Sequence, residues 1–449
     1  MLLVAAWRRL LVAGVAVVGM WAAVLWVTPS TPTTAPAQPP VQVAAEPEEV
    51  PEPEKGALRA VVRSGMTAPG GGHFDRFDVA SQPIAAPVNA RGQVVFYATV
   101  LHAAARDGIF LVEGGHVTKV AAFGDELPGG GTLAEFSAQP LPALNRAGHV
   151  AFAAQIAGGR ATEGIFLAGD NGLQVIALSG EEAPGVPAGV LIGFDAPALN
   201  DNDELAFVAN VRRGRDTVDV LYYWNGRRLQ RLVAEGELLL QVGGMLDKLG
   251  EPALNNGGVV AFPAAILKGP VVGAIFVAGA RSLRPVVRAG DRTSSGAMVL
   301  RFSERVTIDE TDGIAFGAYL SGDSGPREAV LRTGAAGLSE IAVEGWAAPG
   351  GGRYARFGPW PTIAPGGVIA FIASLDGAPR QLAAFAGTIR ELWPIASMGE
   401  RLPGGGQIGR FVLNAIATVG PGGALTFATM AGEDGGYNAI YCRCPPAAR

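Results

Sequence analysis

Histidine and cysteine are scarce, four and two in 449 residues, and that removes most of the metal and nucleophile chemistry a sequence can advertise. His73, His102, His116 and His149 fall in the first third of the chain, while Cys442 and Cys444 stand at its far end. No zinc-ligand spacing joins them. Charge is also sparse: Asp, Glu, Lys and Arg make up 17% of the chain and the formal net charge is -5, so there is no basic footprint for nucleic acid. A phosphate-binding G-x-x-x-x-G-K loop, a G-x-S-x-G elbow, an H-E-x-x-H helix and the sialidase S-x-D-x-G-x-T-W box are all missing. The acidic turns Asp201-Asn202-Asp203-Glu204 and Asp309-Glu310-Thr311-Asp312 lack the calcium-loop spacing and read as solvated turns. No cofactor is expected.

Apolar residues and turn formers are what the chain has. Hydrophobic residues reach 49%, enough for a large core, and 64 glycines with 32 prolines, lacking a collagen period, imply many tight turns between short strands. An all-β protein is expected.

One long apolar run stands apart. Leu10 to Val27 holds 18 uncharged residues after Arg8 and Arg9, near the lower limit for a membrane-spanning helix, and the positive-inside rule puts the rest of the chain outside the cytoplasm. A cleaved signal peptide ending near Ala35-Pro36-Ala37 is the rival reading. From Thr28 to Lys55 there are eight prolines and five glutamates, a composition that suits an extended stalk rather than a core. The expected organisation is a cytoplasmic stub and signal-anchor helix (1–27), a disordered stalk (28–56), a repeat domain (57–443) and a tail (444–449).

The repeat domain rests on one recurring phrase. Asn89 to Phe96 recurs as Asn145 to Phe152 and as Asn255 to Phe262, with weaker copies ending at Phe207, Phe316, Phe371 and Phe427. The spacings between successive phenylalanines are 56, 55, 55, 54, 55 and 56 residues. Asn followed by Gly three residues on makes a turn, since the Asn side chain binds the backbone two residues ahead and Gly accepts a positive φ. That pattern appears as Asn89/Gly92, Asn145/Gly148 and Asn255/Gly258; Asn200 keeps the Asn, and Gly367 and Gly423 keep the glycine. Each phenylalanine is followed 14 or 15 residues later by Phe110, Phe166, Tyr222, Phe276, Leu331, Phe385 or Tyr441. Boxes ending at Gly65, Gly124, Gly180, Gly236, Gly290, Gly345 and Gly399 keep the same register, most followed by an acid (Asp125, Glu181, Glu237, Asp291, Glu400). Those acids either cap turns or ring a central channel.

Repeats of this length predict a seven-bladed β-propeller of four-stranded blades, about 55 residues each, over the 385 residues from Ala57 to Tyr441. A box precedes the first Asn phrase and none follows the last, so the N-terminal strand is expected to complete the final blade and close the ring. With the apolar run in front, the whole reads as a propeller preceded by one transmembrane helix.

The Asn-x-x-Gly-x-x-Ala-Phe phrases at Asn145 to Phe152 and Asn255 to Phe262 resemble those of the bacterial "choice-of-anchor" tandem-repeat proteins. The resemblance implies a bacterial envelope or surface protein whose anchor varies between members; here the anchor would be N-terminal. It is silent about activity.

The remaining candidates break the repeat symmetry. Arg212, Arg213, Arg215, Arg227 and Arg228 flank a strand ending in Tyr223 and Trp224, and arginine with aromatic residues is enriched at interfaces. The expected function is a non-catalytic module that binds an envelope protein or glycan; the alternatives are a propeller enzyme acting on polysaccharide or a small molecule, and a self-associating surface protein. Cys442 and Cys444 could pair with each other or link two copies into a homodimer.

Overall fold

The computed structural model describes residues 58–443 except 78–83, 137–139, 280–281, 336, 402–406, 412–414 and 431–437. The expected transmembrane helix, the stalk and Cys444 lie outside the described residues. No helix among the described residues is long and apolar enough to cross a membrane. Pro51–Arg449 forms one compact unit, and all eight of its apolar clusters fall between Leu58 and Cys442, so it contains its own core.

This unit is an all-β propeller of seven blades. Blade 2 shows the plan. Thr132–Phe136 and Ala143–Leu144 form an interrupted inner strand, followed outward by Val150–Ala157, Glu163–Gly169 and Gly172–Leu178, all antiparallel. Pro142, Pro197, Pro252 and Pro361 stand just before the short inner segments Ala143–Leu144, Ala198–Leu199, Ala253–Leu254 and Thr362–Ile363, where a missing N–H harms no ladder. The single helical segment among the described residues is the 3-10 turn Pro421–Gly423.

The two aromatic series recognised in the sequence are cross-strand partners. Phe96 faces Phe110, Phe152 faces Phe166, Phe207 faces Tyr222, Phe262 faces Phe276, Phe316 faces Leu331, Phe371 faces Phe385 and Phe427 faces Tyr441. The Phe262 and Phe276 rings stack 5.5 Å apart, and five of the seven pairs share that stacked arrangement. Consecutive apolar residues line the second strands because both faces are covered: Val150 to Ala154 are all buried. Each joint between blades holds an apolar cluster drawn from both, as where Ile165 and Leu167 of blade 2 pack with Phe207 and Tyr222 of blade 3.

The unit has two ends. At the turn end lie the Asn-x-x-Gly turns and the hairpins joining third to outer strands. At the loop end lie the connections from second to third strands and the box loops leading to the next blade. The seven box glycines all have φ between +75° and +102°, a range only glycine tolerates well.

Arg59–Arg63 pairs with Ala439–Arg443 and so supplies the outer strand of the sheet built from the last repeat. Residues of the first and last repeats also touch directly. Ile416 N donates to Ile84 O at 2.8 Å, Thr426 donates its hydroxyl to Ala86 O, and Val62, Phe96, Ile440 and Cys442 share one cluster. Cys442 is fully buried and disulfide-bonded.

Candidate functional site

The residue four positions before each turn points to the axis of the propeller. In chain order these are Ala85, Leu141, Ala196, Glu251, Arg305, Trp360 and Ile416. Leu141, Ala196 and Ile416 are buried together with Ala85 and Trp360 in one cluster fed by five blades. The two charged members neutralise each other: Arg305 pairs with Glu251, both side chains about one-sixth exposed (16% and 17%). The Arg305 guanidinium also lies 5.2 Å from the centre of the Trp360 ring, a cation–π contact. The axis is therefore filled at this layer by apolar side chains and one internal ion pair. Among the described residues, Glu251 is the one carboxylate of this layer.

The turn end is held by a ladder of carboxamides. Asn145 Oδ1 accepts from His149 N at 2.9 Å within its own turn, while its Nδ2 donates across the joint to Asn200 O at 3.2 Å. Asn89, Asn200 and Asn255 repeat the bridge, donating to Asn145 O, Asn255 O and Asp309 O at 2.8, 3.0 and 3.2 Å. The second hydrogen of each Nδ2 finds an acceptor in one of two ways. Asn89 and Asn200 use Gln93 and Glu204 of their own turns. Asn145 and Asn255 instead use Asp203 and Asp312 of the next blade, both at 2.8 Å. Those two aspartates occupy the turn-glycine position with φ of +59° and +61°. His149 Nδ1 also lies 2.8 Å from Asp203, so the acidic turns are engaged in holding blades together.

The turn glycines share a local geometry and differ in what surrounds them. The Asn-x-x-Gly spacing assigns Gly92 and Gly258 the same local task, and both do have φ of +73° and close their turns by donating N–H to Asn89 O and Asn255 O at 3.0 and 3.1 Å. Their surroundings differ. A Cβ at Gly92 would meet no described atom within 4 Å, so φ alone asks for glycine there. A Cβ at Gly258 would approach the Tyr223 hydroxyl of blade 3 to 3.1 Å, so this glycine also makes room for the neighbouring blade and is not a purely local turn residue.

The acids after the boxes cap their turns. Asp125, Glu181, Glu237, Asp291 and Glu400 each accept from the backbone N–H three residues earlier, with distances of 2.7 to 3.1 Å. The ring of channel-facing carboxylates, the other reading of these positions, does not form from them. In blade 5 the Pro-Gly-Gly-Gly of other loops is replaced by Ser294-Ser295-Gly296-Ala297, and the hydroxyls of Ser294, Ser295 and the preceding Thr293 all donate to Glu340. Burial disfavours the Glu340 anion, yet the three hydroxyl hydrogen bonds outweigh it and hold the carboxyl below its ordinary value.

A further set of carboxylates links blades at mid-sheet. The inner strands of blades 3, 4 and 6 each carry a β-bulge that leaves an N–H without a ladder partner. Glu163 accepts from Phe194 N at 3.4 Å and Glu328 from Phe357 N at 3.0 Å, while Asp219 accepts from the backbone of Leu249. Burial pushes the Asp219 carboxyl up, and burial with the nearby Asp219 and Asp247 charges does the same to Glu235. These acids are tied to backbone groups rather than aimed at an open cavity.

The arginine-aromatic cluster does not come together as one patch. In the blade 3 hairpin Arg213 faces Asp216 while Trp224 faces Leu205, eight strand residues away, or roughly 26 Å at 3.3 Å per residue. Arg212, Arg213 and Arg215 therefore belong to the loop end, and Tyr223, Trp224, Arg227 and Arg228 to the turn end. A linear reading joins residues at both ends of a long strand. Burial, with hydrogen bonding to the Glu204 carboxylate, pushes the Tyr223 phenol up. Arg227 and Arg228 are exposed in a hairpin capped by Asn225 Oδ1.

The axial layer was not singled out from the sequence, although a signal exists. Aligning the seven units on the turn puts opposite charges, Glu251 and Arg305, in the same otherwise apolar column of consecutive blades. The alternation of Gln93 and Glu204 with Asp203 and Asp312 was equally available.

No curated protein matches the chain. The propeller domain of the Trilobed protease from Pyrococcus furiosus is 9% identical with a TM-score of 0.34, over 72% of this chain and 97% of that one. A prolyl endopeptidase is 12% identical at 0.43, over 77% of this chain; the chain spans about half of that enzyme's length (46%). A polysaccharide lyase, the PL25 ulvan lyase, is 9% identical at 0.40, over 81% and 94% of the two chains. None of these similarities bears on activity. Sequence-family comparison is more informative: two overlapping stretches, residues 41–304 and 254–441, match one family. The chain belongs to DUF7453, a family of unknown function.

Proposed function

We propose that this chain is a membrane-anchored, extracytoplasmic propeller, closed into a ring by its N-terminal strand, that binds an envelope protein or glycan and carries out no catalysis. The observation that carries the reading is the axial layer. Propeller pockets usually draw convergent polar groups from several blades. Here Leu141, Ala196, Trp360 and Ile416 occupy that place and Glu251 is neutralised by Arg305. Pairing of Arg59–Arg63 with Ala439–Arg443 supports closure. The uncharged run Leu10 to Val27 supports the anchor, and the resemblance to choice-of-anchor repeats supports an envelope location.

The partner surface is the turn end of blade 3, where exposed Arg227 and Arg228 stand beside half-buried Tyr223 and Trp224. The test is affinity capture from a detergent-solubilised envelope extract on immobilised residues 51–449. One protein or glycan retained by the wild type and lost in Arg227→Ala/Arg228→Ala is expected. Turnover of envelope polysaccharide by the same preparation would replace this reading with the enzymatic one. Sedimentation as a reducible dimer would favour a self-associating surface protein.

A further inference from the structure

Exposed large hydrophobic side chains are distributed unevenly between the two ends of the propeller. Of the eight among the described residues, Leu101, Leu238, Leu240, Leu267, Val272, Leu300 and Trp346 lie at the loop end, and Ile389 alone lies at the turn end. The densest group belongs to blade 4. Leu240 is 84% exposed, Val272 68% and Leu238 64%. Leu238 faces Met245, which faces Leu267, so the three form a row across adjacent strands.

This blade departs from its neighbours at those positions. Two residues after the box glycine the other blades carry Thr67, Glu126, Glu182, Arg292, Ala347 and Arg401, where blade 4 has Leu238. Ten residues after the repeat phenylalanine, blades 1, 2, 3 and 6 carry Arg106, Thr162, Thr217 and Gln381, where blade 4 has Val272. The departures place aliphatic groups on loop tips rather than in the core.

Cations unpaired among the described residues stand at the same end, outside the box loops, whose acids include exposed Glu181 and Glu182 and the Glu237 that pairs with Arg231. Arg160, Arg212, Arg213, Arg215 and Lys268 lie around the second-to-third strand connections of blades 2, 3 and 4, against the single exposed carboxylate Asp216 among the described residues there. Arg212, Arg213 and Arg215 make no side-chain hydrogen bond or ion pair among the described residues. The nearby Glu163 and Asp219 are engaged with backbone N–H groups of the next blade. Exposed apolar tips in blades 1, 4 and 5 and in the loop entering blade 6 are spread too widely for one pocket or one strand of a partner. A broad surface, apolar beneath an anionic layer, meets all of them at once.

We infer that the loop end is a peripheral membrane-binding face, with Leu238, Leu240 and Val272 entering a bilayer whose anionic headgroups Arg212, Arg213 and Arg215 meet. The face stands apart from the partner surface at the turn end, so either can fail without the other. The test is co-sedimentation of residues 51–449, which lack the apolar N-terminal run, with phosphatidylcholine vesicles with and without phosphatidylglycerol. Binding to the anionic vesicles, weakened by salt, is expected. Leu238→Ser/Leu240→Ser/Val272→Ser and Arg212→Glu/Arg213→Glu/Arg215→Glu should each lower the partition coefficient about tenfold or more while leaving the circular dichroism spectrum unchanged. Ile389→Ser/Arg390→Glu at the turn end should leave it unaltered. Wild type that stays in the supernatant overturns the inference, as does equal loss in the turn-end variant. Self-association abolished by the leucine substitutions, without vesicle binding, overturns it in favour of a second copy of the chain.

Discussion

At the turn end, Asn89, Asn145, Asn200 and Asn255 each bind their own turn and reach across to the next blade, whereas the turns of blades 6 and 7 begin at Ala364 and Gly420, which have no side-chain hydrogen-bonding group. A carboxamide has an acceptor and a donor on one short stem, so a single Asn can do both tasks. Where it is lost, the tasks separate. Pro365-Gly366-Gly367 and Pro421-Gly422-Gly423 hold their turns through the fixed φ of proline and the positive φ of the glycines. Threonines then make the bridges: Thr362 Oγ1 donates to Ala417 O at 2.7 Å and accepts from Val419 N at 3.0 Å, and Thr426 reaches Ala86. Blade 5 is intermediate, with Asp309 capping its turn and held at 3.1 Å by Arg332. The turn and the bridge are separable requirements of the propeller, and the sequence meets them jointly in one arc and separately in the other.

The sharpest break is expected at Asn255. Replacing it with Ala removes two acceptor contacts within the turn, at 3.1 and 3.0 Å, and two donor contacts to the next blade, all around a side chain only 3% exposed. Buried partners left unsatisfied should make this cost about 2–4 kcal/mol by urea unfolding of residues 51–449. The equivalent change at Ala364 to Gly should cost under about 1 kcal/mol. Similar losses at both sites would mean that the carboxamide does not hold the joint.

The alternation of acceptors can be tested by exchanging one joint for the other kind. Between blades 1 and 2, Gln93 fills the space that a Cβ at Gly148 would enter at 2.8 Å, so an amide on one side goes with glycine on the other. Between blades 2 and 3 the pair is His149 and Asp203. His149→Gln alone should crowd Asp203, and Asp203→Gly alone should leave the second hydrogen of Asn145 Nδ2 without its acceptor. The double variant should recover about 1–2 kcal/mol relative to the sum of the singles. Simple additivity would show that the alternation along the chain has no energetic content.

The propeller was legible because its motifs are local: Asn-x-x-Gly turns, box glycines and aromatic pairs 14 or 15 residues apart all recur within one unit. What a single unit cannot show is a contact to the next. The second role of Asn145 needs the carbonyl of Asn200, the axial layer needs five blades to converge, and the bulge N–H of Phe194 needs Glu163 from the preceding blade. Gly92 and Gly258 look alike in their own turns and differ only because Tyr223 of the preceding blade reaches the second of them. The separation of Arg213 from Arg227 had the same origin. Proximity in sequence around a nine-residue strand, Asp216–Trp224, is distance in space.

A smaller effect is expected where the bridge is a hydroxyl. Thr362→Val keeps the shape of the side chain and its burial but removes one donor and one acceptor, which should cost about 1–2 kcal/mol, less than Asn255→Ala. Thr362→Ser should retain most of the stability. A loss at Thr362 exceeding that at Asn255 would reverse the ranking of the two arcs.

The contrast extends to the loop end, where blade 5 again lacks the backbone solution and uses side chains. Gly350 and Gly351 of blade 6 have φ of +86° and +106°, whereas Thr293, Ser294 and Ser295 hold their loop by donating to Glu340. The anion is the better acceptor, and the folded state keeps the carboxyl ionised below its ordinary value of 4.5. A depressed folded-state value means that Glu340 stabilises the fold above the unfolded-state value, and that this contribution is lost as pH falls through the lower, folded-state value. Wild type should therefore lose stability relative to Glu340→Gln on the acid side of pH 4.5, while the two differ by a constant amount at neutral pH. Because Glu340 is substantially solvated, screening keeps the difference small and salt should reduce it further. Parallel stability profiles through the acid range would show that the three hydroxyls do not select the anion, leaving their contacts with Glu340 as a consequence of packing in the loop.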